Sequence, residues 1–81
     1  NDVLVAISTS GNSENVIRCL EMAKKIGLCS ISFLGKGGGK LKEISDQKII
    51  IKSNETARIQ EMHILLGHIL VEMIEMELGY A

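Results

Sequence analysis

Apolar residues fall along this chain in two rhythms. Val3-Leu4-Val5-Ala6-Ile7 is a continuous apolar run, the pattern of a parallel strand covered on both faces. After the polar stretch Ser8-Thr9-Ser10-Gly11-Asn12-Ser13 the spacing turns helical, with Val16, Leu20, Ala23 and Ile26 three or four residues apart. Ser13 or Asn12 is placed to cap the start of that helix. Lys24 and Lys25 suit its C-terminal turn, and Gly27 suits the position that ends it. Residues 29–34 read as a second strand, 35–39 as a flexible glycine-rich loop and 40–44 as a short helix. The β-branched run Lys48-Ile49-Ile50-Ile51 reads as a third strand. This order predicts a parallel sheet with right-handed crossovers and helices on its faces. Three strands are too few to complete such a sheet.

The last element is a helix over residues 56–78, with Asn54 or Thr56 as its predicted N-cap. Asn54-Glu55-Thr56 also matches a glycosylation sequon, but the helix start accounts for it. Ile59, Met62, Leu66, Ile69, Met73, Met76 and Tyr80 follow an alternating three-four rhythm. Gln60, His63, Gly67, Leu70 and Ile74 form a second seam of the same rhythm. From Ile64 to Val71 no Asp, Glu, Lys or Arg interrupts the helix. A helix apolar on several faces needs cover on several faces, so this one predicts an oligomeric helix bundle.

Charge and composition narrow the classes of function. Nine basic and ten acidic residues give a formal charge of −1, which offers neither a basic footprint for nucleic acid nor a polybasic membrane patch. The chain is 46% hydrophobic and 23% charged, and its Pro and Trp counts are zero, so an aliphatic core is expected. No uncharged apolar run reaches the 18 or so residues of a membrane helix. Cys19 and Cys29 each sit in an apolar segment and read as small buried hydrophobes in a reducing, cytoplasmic setting. Eighty-one residues of α/β structure without a disulfide or metal staple are marginal alone. The chain is therefore expected to be part of a larger domain.

Two segments carry candidate chemistry. Residues 8–13 join the C-terminal end of a parallel strand to a helix N-terminus, where unpaired N–H groups favour anions. Ser8, Thr9, Ser10 and Ser13 add hydroxyl donors, and Gly11 permits close backbone approach. Either a phosphomonoester site or an ordinary polar turn accounts for that composition. The glycine-rich stretch from Gly35 to Lys40 fits neither nucleotide pattern. Leu34 and Leu41 stand at the first and last positions of the P-loop motif, and Lys40 takes the third glycine of the dinucleotide motif. On the final helix, Gln60, His63 and His68 are the polar groups of an apolar element, and each histidine reads either as a core residue or as a functional one. His68 is a candidate acid/base or metal ligand, next to Gly67, whose place in a helix interior costs about 1 kcal/mol relative to Ala.

The run Ala6-Ile7-Ser8-Thr9-Ser10-Gly11-Asn12-Ser13 resembles the phosphosugar loop of the sugar isomerase (SIS) domain. Residues 56–64 together with Gly67-His68 resemble the last helix of the sedoheptulose-7-phosphate isomerase, or phosphoheptose isomerase, family. Gly35-Lys36-Gly37-Gly38-Gly39-Lys40-Leu41 is similar to the loop between them, although the family usually has Asp where Gly37 stands. The resemblance implies the C-terminal half of one SIS-type α/β domain, a three-layer αβα sandwich with a long C-terminal helix, its N-terminal half absent. It implies conversion of sedoheptulose 7-phosphate to D-glycero-D-manno-heptose 7-phosphate, toward bacterial surface heptose such as that of lipopolysaccharide. Ser8, Thr9, Ser10 and Ser13 would hold the phosphate. Gln60 and His68 would be zinc ligands, with Gln60 also touching substrate and His68 acting as acid/base. The family's other His and Glu ligands, the Glu also serving as base, belong to the N-terminal half. A homotetramer built through the final helix is expected, and no activity from these residues in isolation. Gln60 and His68 are separated by about 12 Å of rise and about 80° of rotation, so they meet only at a point close to the helix, near Ile64. A related SIS adaptor that binds the bacterial replication initiator shares the serine loop but carries Asn where His68 stands, and a phosphosugar-sensing domain is a third reading. His68 favours the enzyme.

Overall fold

The computed structural model describes residues 2–79. Three parallel strands lie in the order β1-β2-β3: β1 (Val3–Ser8), β2 (Cys29–Gly35) and β3 (Gln47–Ile51). Helix α1 (Glu14–Lys25) and the single turn α2 (Leu41–Ile44) cover one face, and α3 (Thr56–Leu78) lies along β2 on the other. These are the three αβα layers that the sequence predicts.

The core sits under α1 and α2. Ala6, Ile17, Leu20, Leu34 and Leu41 form one buried cluster, with Leu4, Val16, Ile44 and Ile50 against it. Full burial of a leucine stabilises by roughly 1.5–3 kcal/mol, and Leu20, Leu34 and Leu41 are all essentially inaccessible. The small polar residues of β2 are satisfied rather than exposed. The Ser30 amide donates to Asp46 Oδ2 at 2.8 Å, and the Asp46 amide donates back to Ser30 Oγ at 3.0 Å. Ser32 hydrogen-bonds Ser45, whose hydroxyl also donates to the Leu41 carbonyl, tying the end of α2 to the central strand.

Several details differ from the sequence reading. Cys19 and Cys29 are exposed, not buried. The buried stripe of α1 is Ile17, Leu20 and Ala23, which leaves Cys19 off it, and Cys29 is the exposed first residue of β2. The N-cap of α3 is Glu55 rather than Asn54 or Thr56, and its amide is taken by Ser53 Oγ at 3.1 Å. One face of β1 is left uncovered: Val3, Val5 and Ile7 remain about half exposed because α3 lies over β2, while Ala6 and Ser8 on the other face are buried.

The two predicted seams of α3 merge into one line of sheet contact. Ile59 and His63 are buried, and Leu66, Gly67 and Leu70 are half-buried behind them. Ile64, Leu65, Val71, Met73, Ile74, Met76 and Leu78 remain exposed. Tyr80, the last position of the first seam, lies outside the described residues. Among the described residues no helix is long and apolar enough to cross a membrane.

Candidate functional site

The serine loop begins inside the sheet. Ser8 is the last residue of β1 and is buried, while Thr9, Ser10 and Ser13 are half-buried. Ser8 Oγ accepts the Gly11 amide at 3.0 Å and lies 2.8 Å from Ser13 Oγ. The Asn12 amide donates to Ser10 Oγ at 3.0 Å. Ser13 occupies the N-cap of α1, yet its hydroxyl turns to Ser8 and makes no cap bond. The first-turn amides of α1 therefore stay open, with a lone acidic side chain, Glu14, in that turn. Ser8 and Ser13 shape the loop, and Thr9 and Ser10 are the less committed donors.

The glycine-rich loop, expected to be flexible, is clasped against the serine loop. The Leu41 amide donates to the Gly11 carbonyl at 3.0 Å, and the Lys40 amide donates to Asn12 Oδ1 at 2.9 Å. The two backbones touch directly. A Cβ on Gly11 would collide with the Gly38 carbonyl oxygen, and one on Gly39 would lie 2.6 Å from the Gly11 carbonyl carbon. Gly39 also has φ +55°, a conformation costly for L side chains. Asn12 thus acts as a brace between loops, not as the cap the sequence suggested.

A second feature opens on the α3 face of the sheet. Gly35 allows Ile59 to settle onto β2, since a Cβ there would come within 2.6 Å of Ile59 Cδ1. One turn later His63 is buried, its Nε2 donating to the Leu34 carbonyl at 2.9 Å and its ring tilted 44° to Phe33 at 5.9 Å. Because a carbonyl oxygen only accepts, Nε2 carries the proton, and Nδ1 is left buried without a partner. Such an unpartnered group costs about 1–3 kcal/mol. Beside His63 an open cleft of about 400 Å³ is lined by Ile7, Phe33, Gln60, Ile64, Gly67 and His68.

The structure therefore brings Gln60 and His68 to one cleft, with Ile64 between them as the helical spacing requires. Both side chains are exposed; Ile7, which lines the cleft, is the residue before Ser8 on β1, and none of residues 8–13 lines the cleft itself. No carboxylate lines the cleft, and no group of three His, Cys, Asp or Glu side chains among the described residues is arranged to hold a metal ion. Of the side chains lining the cleft, His68 offers an imidazole nitrogen and Gln60 an amide oxygen as neutral donors, two where a zinc site uses three or four protein ligands. Sequence reasoning missed His63 as the tie between α3 and β2. Its spacing of four from Ile59 and from Gly67 was the available signal.

No family model matches the chain. Curated relatives do. It is 55% identical to the phosphoheptose isomerase of Nitratiruptor sp. over 74 residues, covering 91% of this chain and 40% of that protein. It is 55% identical to the phosphoheptose isomerase of Helicobacter pylori (strain HPAG1) over 75 residues, covering 93% and 39%. Among solved structures, the phosphoheptose isomerase of Neisseria gonorrhoeae superposes with a TM-score of 0.88 at 43% identity, covering 90% of this chain and 42% of that one. The phosphoheptose isomerase of Francisella tularensis gives 0.90 at 34% identity, covering 94% and 43%. The chain spans about two-fifths of the length of the relatives it matches. In sequence and in fold, these residues are homologous to the phosphoheptose isomerases over that two-fifths.

Proposed function

We propose that the protein containing these residues is a phosphosugar isomerase, converting sedoheptulose 7-phosphate to D-glycero-D-manno-heptose 7-phosphate for bacterial surface heptose. The observation that carries the reading is the convergence of Gln60 and His68 on one cleft that also takes in Ile7, near the end of β1 from which the serine loop leaves. The phosphate end suits the serine loop: open helix amides, the hydroxyls of Thr9 and Ser10, and no cation within the loop to hold product too tightly. The reacting carbons then belong over the cleft.

Ketose-to-aldose isomerisation moves a proton from C1 to C2 through an enediol, while a second proton passes from O1 to O2. His68 is the group in this chain suited to exchange the oxygen-bound proton, being exposed in the cleft with an imidazole that both donates and accepts. Gln60 is placed to orient the substrate's oxygens through its amide. The carbon base is a carboxylate from outside these residues. Gln60 and His68 would share in holding zinc, which supplies polarisation of the substrate oxygens when bound. The uncovered apolar sides of α3 support assembly through that helix, as a homotetramer.

The test is turnover of sedoheptulose 7-phosphate by the full-length protein and its His68→Ala variant. The reading expects turnover by the parent, at least 100-fold loss in the variant, and an unchanged oligomeric state. Parental turnover in the variant would overturn the role of His68. Absence of turnover in the parent, with capture of a replication initiator, would point to the adaptor instead.

A further inference from the structure

One buried side chain of the cleft has no part in that chemistry. His63 is 3% exposed, and its Nδ1 is a buried nitrogen without a partner. A leucine would fill the same space against Phe33 with no polar atom to desolvate, so packing alone does not account for an imidazole here. What the imidazole adds is direction. Apolar contacts are non-directional, whereas an N–H···O bond weakens steeply as its distance and angle depart from the optimum. Among the described residues α3 fully buries Ile59 and His63 alone; Ile59 and the half-buried Leu66, Gly67 and Leu70 contribute apolar contact, which sets no direction against a small roll of the helix on β2. The 2.9 Å bond from His63 Nε2 to the Leu34 carbonyl stops that roll.

The partner strand residue matters as much as the bond. Leu34 stands opposite Ser8 in the β1–β2 register, so His63 references α3 to the strand position beside the first serine of the loop. On an ideal helix Gln60 and His68 lie about 60° and about 140° round from His63, on the same side. A roll of about 15° would carry side chains about 6 Å from the helix axis through about 1.5 Å. A misplacement of about 1 Å is enough to cost about 100-fold in rate.

We infer that His63 is a positioning residue, whose bond to the Leu34 carbonyl sets where Gln60 and His68 stand relative to the serine loop. The inference rests on reading the cleft as an isomerase site. Its test compares His63→Leu, His63→Gln and His63→Asn in the full-length protein. Gln carries an N–H at the position of Nε2 and keeps the bond; Asn is one carbon too short and loses it.

The expected result is a kcat at least 10-fold lower in the Leu and Asn variants, a KM within about threefold of the parent, and recovery of most of kcat in the Gln variant. Should His63→Leu fail to fold, the Gln and Asn pair carries the comparison. Equal kcat in Gln and Asn variants overturns the inference, as does parental kcat in His63→Leu. Crystal structures supply a readout without turnover: His68 should move by about 1 Å or more relative to residues 8–13 in the Asn variant and stay in place in the Gln variant. A parent inert toward sedoheptulose 7-phosphate would sink the isomerase reading, while the crystallographic comparison would still decide the positioning of His68.

Discussion

Substituting Gly39 by Ala tests whether the glycine-rich loop holds the serine loop in shape. The new Cβ would lie 2.6 Å from the Gly11 carbonyl carbon and 2.7 Å from the Ser10 carbonyl oxygen, both backbone atoms that cannot swing away. Relief requires the loops to part by several tenths of an ångström, stretching the Leu41 to Gly11 bond of 3.0 Å and the Lys40 to Asn12 bond of 2.9 Å. The positive φ adds about 1–2 kcal/mol of conformational cost. Gly37→Ala separates the two causes, because Gly37 also has positive φ (+84°) but nothing within 4 Å of its would-be Cβ. Both variants should lower Tm, by about 2–4 °C per kcal/mol in a protein of about 200 residues. Gly39→Ala alone should weaken binding of the phosphosugar, by at least about tenfold, equivalent to about 1.4 kcal/mol. Isothermal calorimetry with sedoheptulose 7-phosphate on the full-length proteins reads the affinity. Equal affinities for the two variants would refute the claim that backbone contact between the loops shapes the site.

Three further outcomes are expected. Ser10→Ala combined with Ser13→Ala should weaken phosphosugar binding by about tenfold or more, since it removes one hydroxyl donor and the partner that holds Ser8; unchanged affinity by calorimetry would reject the loop assignment. Gly67→Ala should raise Tm, because Ala gains about 1 kcal/mol of helix propensity and its Cβ would meet Phe33 at an ordinary 3.9 Å; a fall in Tm would show a constraint beyond that contact. Ile74→Glu, on the exposed apolar side of α3, should dissociate the assembly in light scattering, and an unchanged mass would remove this helix from the interface.

The order of elements was legible because the hydrophobic period changes at each boundary, from the continuous Val3–Ile7 run to the helical spacing after Ser13, and back. The serine loop was legible for the same reason: small polar residues stand where a strand hands over to a helix. Residues that act across loops were not. Asn12 meets Lys40 at a separation of 28 residues, and nothing local in either segment marks the pair. The approach of Gly11 to Gly39 depends on the parallel register that brings two strand ends side by side. His63 was assigned to one heptad seam and Ile59 to another, although a spacing of four places both on the sheet-facing line. Cys19 and Cys29 show the opposite error, in which apolar neighbours in sequence implied cover that the fold does not place over them.

The central claim is that the cleft beneath α3 and the serine loop form part of one isomerase site. Incubating the full-length protein with sedoheptulose 7-phosphate in deuterated water, followed by NMR, tests it most directly. An enediol route through this site predicts an aldose 7-phosphate carrying solvent-derived deuterium at C2, and loss of that product in His68→Ala. No product from the parent protein, or undiminished product from His68→Ala, would contradict it.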